Sequence, residues 1–260
     1  MTEETPETKA QTGDSMPFLH HLEELRWRVF KSLISIVVLS MAAFYFAEHL
    51  IMFIKAPYGD MPLYNIQVTG TFYAYLKVSL FAGVIASLPI IFYQLWSFIS
   101  PGLYKKEKAW ILPLVAISTV LFLVGAAFCF LVVLPISSNF LMGFAGGLVE
   151  NTITIGSYID FVGLLMLAFG FGFQMPIIAY FLGKLGFVSA SGMGKGRRYA
   201  APVLLIVGAL ITPPDVFTQV LLAAPLYLLY EISIIVVRVV GKRREEAAEP
   251  VVEVEDTPAE

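Results

Sequence analysis

Long apolar runs separated by short polar gaps dominate this chain, and six of them are candidate membrane-spanning helices. They cover about 29–50, 72–97, 110–135, 158–183, 199–213 and 216–237. A helix crossing a hydrocarbon core of roughly 30 Å needs about 20 apolar residues at 1.5 Å each. The fifth run falls short, because only the residues between Arg198 and Asp215 are uncharged. The turn that follows it, Thr212-Pro213-Pro214-Asp215, leaves almost no loop, so the last two runs read as a short hairpin. Such a hairpin must tilt its polar ends inward, snorkel or thin the bilayer. Before the first run, Phe18, Leu22, Leu25 and Val29 follow the i, i+4, i+7, i+11 pattern of one helical face. This predicts an amphipathic helix at the membrane interface, anchored by Trp27. The expected fold is therefore an all-α polytopic membrane protein with six spans, the last two short, and an N-terminal interfacial helix.

Proline and glycine refine the spans. Pro89, Pro176, Pro202 and Pro225 lie within runs two, four, five and six, where each removes a backbone hydrogen bond and bends its helix. Gly163, Gly170, Gly172 and Gly183 concentrate in the fourth run, which suits close helix contact.

Charge supplies orientation. Of 17 lysines and arginines, all but Lys55 and Lys77 fall in the N-terminal segment, in alternate gaps between runs, or after the last run. This segregation is the positive-inside signature and predicts both termini on the cytoplasmic side of a bacterial inner membrane. The formal net charge of −3 hides it, because acids crowd the two ends and the body 17–244 is basic. The ends, 1–15 and 242–260, read as disordered acidic tails flanking a transmembrane domain over 16–241. A 58% hydrophobic content and a mean hydropathy of +0.78 exclude an ordinary soluble domain. The lone Cys129 excludes an internal disulfide, and the first run is too long and too far from the start to read as a cleavable signal peptide.

Catalytic motifs are missing: the chain has no H-E-x-x-H, no G-x-S-x-G and no G-x-x-x-x-G-K-[ST]. No cofactor, metal or nucleic acid is expected. The unusual residues are polar groups in costly places. Glu24 and Glu107 are acids set among cations, in Glu24-Leu25-Arg26-Trp27-Arg28 and Tyr104-Lys105-Lys106-Glu107-Lys108. Spacing favours local pairing, Glu24 with Arg28 at i, i+4, over a pair of sockets for a cationic ligand. Gln174 and Glu231 fall inside apolar runs, where a polar group is either an interhelical hydrogen bond or a functional site. Thr212, Asp215 and Gln219 form a polar cluster about the hairpin, and Asp215 reads equally well as a helix cap.

Several motifs in order give these residues a family likeness. They are His21-Leu22-Glu23-Glu24-Leu25-Arg26-Trp27-Arg28, Leu88-Pro89-Ile90-Ile91-Phe92-Tyr93-Gln94-Leu95-Trp96-Ser97-Phe98 and Pro101-Gly102-Leu103-Tyr104-Lys105-Lys106-Glu107. Phe173-Gln174-Met175-Pro176, Thr212-Pro213-Pro214-Asp215 and Leu229-Tyr230-Glu231-Ile232-Ser233 follow. Over roughly 17–241 the chain resembles the TatC family, the multi-spanning core of the twin-arginine translocase. The resemblance implies a non-enzymatic receptor and scaffold that exports folded proteins using the protonmotive force. It implies that Glu24 and Glu107, with Arg26 and Phe98, receive the arginine pair of a signal peptide. It further implies that Thr212, Asp215, Gln219, Gln174 and Glu231 serve docking of the single-span partners TatB and TatA, and that the chain self-associates in a larger complex. The family usually carries Glu where this chain has Gln174, and Gln cannot titrate. A small-solute transporter would need internal repeats about a midplane site, and an intramembrane hydrolase would need a nucleophile with its base.

Overall fold

The interfacial segment and the first span form one helix. In the computed structural model α1 runs unbroken from Ser15 to Tyr45. Between Phe18 and Ala47 there is no glycine or proline to interrupt the backbone bonds, so nothing separates the amphipathic stretch from the apolar one. This corrects the expectation of a distinct interfacial helix. The structure describes residues 15–58, 63–99, 111–143, 153–211 and 215–248, without the side chains of 15–19, Tyr58 and 242–248.

Among the described residues the further α-helices are α2 (Ala47–Lys55), α3 (Gly70–Ile99), α4 (Ile111–Phe128), α5 (Leu134–Gly143), α6 (Ile155–Gly172), α7 (Met175–Leu185), α8 (Ala190–Ile211) and α9 (Val216–Ala248). No strand occurs among the described residues. An isolated parallel bridge ties Tyr64 to the segment before α6, with Tyr64 N–H donating to Ile153 O and Ile155 N–H to Tyr64 O, each at 3.0 Å.

Three of the predicted runs are interrupted, the first of them at Phe46, between α1 and α2. A π-helical turn, Cys129–Val133, joins α4 to α5, and Leu134 N–H donates to Cys129 O across it. Pro135 has no N–H to offer the preceding turn, which accounts for the widened register there. The fourth run breaks at Phe173–Gln174, just ahead of Pro176 in the first turn of α7. Gly186, at a φ of 82°, closes α7 with Phe187 N–H donating to Leu182 O at 3.0 Å. Pro89, Pro202 and Pro225 lie inside α3, α8 and α9.

Among the described residues five segments are long and apolar enough to cross a membrane: His20–Tyr45, Gly70–Ile99, Ile111–Gly143, Ile155–Leu185 and Val216–Gly241. The helix α8 is not among them, because Lys195, Arg197 and Arg198 occupy its first half. Its apolar part, 199–211, spans roughly 20 Å at 1.5 Å per residue. The expectation that both final spans are short is corrected for the last one. The apolar stretch of α9 covers 26 residues, and the helix continues to Ala248 through Lys, Arg, Glu and Ala, all strong helix formers.

The chain divides into two units, 1–46 with 79–119 and 47–78 with 120–260. In the first, α1 lies against the later part of α3 so closely that a Cβ on Gly83 would stand 2.6 Å from the Ser40 backbone. Leu88, Phe92 and Trp96 are buried there, and Trp96 Nε1 donates to Ser118 Oγ at 2.9 Å. The other face of α1 presents Ile34, Val37, Val38 and Met41 outward, an exterior suited to hydrocarbon. In the second unit Cys129, Phe130, Val162, Phe169, Leu222 and Leu226 build a core from the π turn, α6 and α9. Glycines let these helices meet: Gly170 faces the Phe122 ring and Gly172 the Leu226 side chain, where a Cβ would collide.

Candidate functional site

Four residues apart on α1, Glu24 and Arg28 share a helical face, and the geometry makes them a pair. Arg28 donates twice to Glu24 Oε1, from Nε at 3.0 Å and from Nη2 at 2.5 Å. Both side chains are largely covered, with about a fifth of Arg28 and a quarter of Glu24 exposed (20% and 27%). His21 Nδ1 stands 3.6 Å from the other oxygen, Oε2. An open hollow of about 600 Å³ borders this group, lined by His20, Glu23, Glu24, Trp27, Arg28 and Lys31.

Helix α3 completes the cluster from the other side. The His21 imidazole stacks on the Phe98 ring, with centroids 4.3 Å apart and planes 9° from parallel. Arg28 also points its Nη1 toward Gln94 Oε1 at 3.4 Å, too long for a strong bond. An apolar groove of about 270 Å³ runs between Leu25, Val29 and Leu33 on α1 and Ile91, Leu95 and Phe98 on α3. Arg28 borders both this groove and the outer hollow.

Glu24 and Phe98 therefore come together through His21. Arg26 does not join them: two residues from Glu24 it leaves on another face and lies over the Phe30 ring, 5.7 Å from its centroid. Glu107 lies outside the described residues, as does Thr212. Two members of the cluster, Gln94 and the His21 ring, were not among the expected site residues. Gln94 was legible as an amide within an apolar run, and His21 as the neighbour of Glu24 at i, i+3.

The hairpin residues form a second polar cluster. Asp215 precedes α9 and caps it: Oδ1 accepts from Thr218 N–H at 2.7 Å, and Oδ2 accepts from the buried Thr218 hydroxyl. Gln219 N–H donates to Asp215 O at 3.2 Å, and Gln219 Nε2 reaches back to α8, donating to Leu205 O at 2.8 Å. Gly208 permits the approach, since a Cβ there would stand 3.3 Å from Gln219 O.

The two intramembrane candidates fare differently. Gln174 is buried at the α6–α7 break, where its backbone carbonyl accepts from Ile178 N–H at 3.0 Å. Glu231 finds its partner on α8, accepting from Arg197 Nη2 at 2.6 Å, and this bond raises the already high pKa of the guanidinium. Beside it Tyr230 donates to Met193 O at 2.8 Å. A further pair was missed. Lys77 donates to Asp160 Oδ2 at 2.6 Å, beside a polar hollow of about 380 Å³ that Asn65, Gln67, Thr154 and Ser157 also line. Two opposite charges inside separate apolar runs were the available signal.

Among the described residues no group of three or more His, Cys, Asp or Glu side chains is arranged to hold a metal ion. What the α1–α3 cluster can do chemically is bind a guanidinium, because its carboxylate already does so.

Residues 20–225 match the family model described as Sec-independent protein translocase protein (TatC). A Sec-independent protein translocase protein TatC from Desulforapulum autotrophicum is 41% identical over 246 residues, covering 91% of each chain. One from Aquifex aeolicus is 39% identical over 237 residues, covering 89% of this chain and 98% of the relative. Among solved structures, the crystal structure of a twin arginine translocase receptor, TatC, matches with a TM-score of 0.78 and 40% identity. That match covers 85% of this chain and 99% of the solved one.

Proposed function

Because the chain belongs to the TatC family of Sec-independent protein translocases, we propose that it is the receptor and scaffold subunit that takes up twin-arginine signal peptides. It is a multi-pass membrane protein of a bacterial translocase, and it transports rather than catalyses. Membership implies a complex with other components of the same system. The finer assignments are the proposal. The chain crosses the inner membrane six times, with α8 as the short fifth span and both termini cytoplasmic, as its cation distribution requires.

The signal peptide's arginines bind at Glu24 and Glu107, with Phe98 flanking the site and Arg26 at its edge. The observation that carries this reading is the Glu24 carboxylate, which sits in a partly covered hollow and already grips one guanidinium with two donors. Charge-assisted bonds of this kind contribute about 1.5–3 kcal/mol each, roughly 10–150-fold in affinity. The cations around the hollow repel a basic peptide, so the acids carry the attraction.

The partners are TatB and TatA, docked along the hairpin region of Thr212, Asp215 and Gln219, with Gln174 and Glu231 as further polar positions. A partner helix gains little by leaving lipid, so polar contacts and close packing must position it. Transport draws on the protonmotive force, and several copies associate in the working complex. Gln174 cannot titrate, so proton uptake in this chain does not pass through that side chain.

The test is site-specific crosslinking of a twin-arginine signal peptide to the full chain in membranes. Glu24→Ala and Glu107→Ala are each expected to lose the crosslink. Undiminished crosslinking in both variants would refute the assignment of the binding site.

A further inference from the structure

We propose that Arg28 is an internal competitor for the Glu24 carboxylate, and that Gln94 receives its guanidinium when an arginine of the peptide displaces it. The proposal rests on the reading of Glu24 as the peptide's receptor and adds a step that sets its selectivity.

The resting chain already satisfies Glu24. Both Arg28 nitrogens converge on Oε1, and His21 faces Oε2 at 3.6 Å. A guanidinium binds a carboxylate most strongly through two parallel bonds, one to each oxygen. An incoming arginine cannot make both while Arg28 holds Oε1, and two guanidiniums on one carboxylate leave an uncompensated positive charge. Arg28 must therefore leave.

Departure is inexpensive and has a destination. Pairs at i, i+4 on a partly exposed helix are weak, so the internal bond is strong enough to hold and weak enough to exchange. Gln94 Oε1 lies 3.4 Å from Arg28 Nη1, so a small rotation of the guanidinium tightens that contact. The apolar groove beside it, lined by Val29, Ile91 and Leu95, accommodates the aliphatic stem. Gln94 is neutral, so it accepts the guanidinium without trapping it as a second carboxylate would.

Selectivity follows from the exchange. Swapping one guanidinium for another at Glu24 returns only the difference between a parallel two-oxygen pair and the weaker internal one, so a ligand with a single arginine is poorly rewarded. Net affinity must come from what the ligand brings besides, the second arginine first. Self-occupancy lowers the apparent affinity by the fraction of chains with Glu24 free and so sets a threshold that favours an arginine pair.

The experiment measures binding of two fluorescent peptides, Arg-Arg and Lys-Arg versions of one signal sequence, to the full chain in lipid nanodiscs. Arg28→Gln is expected to bind the Arg-Arg peptide about 2- to 5-fold tighter and to narrow its advantage over the Lys-Arg peptide. Arg28→Lys keeps the charge but loses the fork, and should tighten binding by a smaller factor; it also serves if the first variant fails to fold. Gln94→Leu removes the destination and should weaken binding of both peptides. Lys31→Gln neutralises another cation of the same hollow and controls for the general field. Equal gains from Arg28→Gln and Lys31→Gln, or weaker binding in both Arg28 variants, would overturn the proposal. Glu24→Gln separates the two levels. Unchanged binding there removes the receptor reading itself, whereas lost binding without any gain in the Arg28 variants removes only the competition.

Discussion

Two carboxylates, Glu24 and Asp215, each accept two hydrogen bonds from their own chain, yet only one of them is free to exchange its partner. Glu24 is held by a side chain four residues on, along the same helix, with a second acceptor waiting 3.4 Å away. Asp215 is held by the backbone N–H of Thr218 and by a hydroxyl buried beneath it. A guanidinium on a flexible stem can swing aside at little cost. A backbone N–H at a helix start cannot, because moving it unwinds the first turn. The same functional group is thus held by an exchangeable donor at one place and by a fixed one at the other, and the identity of the donor decides which.

The contrast can be broken most directly at its two centres. Glu24→Gln should weaken binding of a twin-arginine peptide by roughly 10-fold or more while leaving thermal stability almost unchanged. Asp215→Ala should do the reverse. Loss of an Asp cap costs about 0.5–2 kcal/mol, so the melting temperature falls while peptide affinity holds. The lone Cys129, fully buried in the second unit, gives the readout, because a thiol-reactive dye labels it only on unfolding. A drop in peptide binding as large as that of the Glu24 variant would erase the distinction. Asp215→Asn keeps the acceptor and should recover most of the stability.

Smaller effects sharpen it. Gln219→Met removes the bond to Leu205 O while conserving most of the volume, and should lower stability by about 0.5–1.5 kcal/mol. The same variant separates the hairpin's internal use of that amide from partner docking: loss of TatB crosslinking beyond what the stability change explains would favour docking. Glu231→Gln is expected to have the smallest effect on melting, since its Arg197 partner is solvent-accessible and exposed pairs contribute little. A large fall there would show that the clasp between α8 and α9 depends on charge.

Much of the helical content was legible in the pattern of apolar runs. Backbone groups in hydrocarbon must be satisfied within their own segment, so a long uncharged run dictates a helix irrespective of its neighbours. The break before Pro176 and the cap at Asp215 were legible for a similar reason, since both arise from interactions within a few residues. The Glu24–Arg28 pair was visible as an i, i+4 spacing, although spacing could not say that Gln94 stands beside it. Arg26 and Arg28 look alike in the sequence; a rotation of 200° along the helix places one over Phe30 and the other on Glu24.

Other features depended on distant residues. Glu231 meets Arg197 across 34 positions, and Lys77 meets Asp160 across 83. No local rule connects such pairs, so the sequence offered an interhelical bond as one reading of Glu231 without naming Arg197 as the partner. The continuity of α1 was local in principle, but a change from amphipathic to uniformly apolar pattern resembles a boundary even where the backbone has no reason to bend.

The sequence by itself therefore determined the helical, membrane-spanning character, the family and the places where acids interrupt a basic surface. These follow from hydropathy, backbone satisfaction and short-range spacing, all of which act along the chain. Only the tertiary structure decided which distant groups meet: Gln94 beside Arg28, Arg197 on Glu231 and Lys77 on Asp160. Those meetings are made by helix packing, which brings atoms to hydrogen-bonding range irrespective of their separation along the chain.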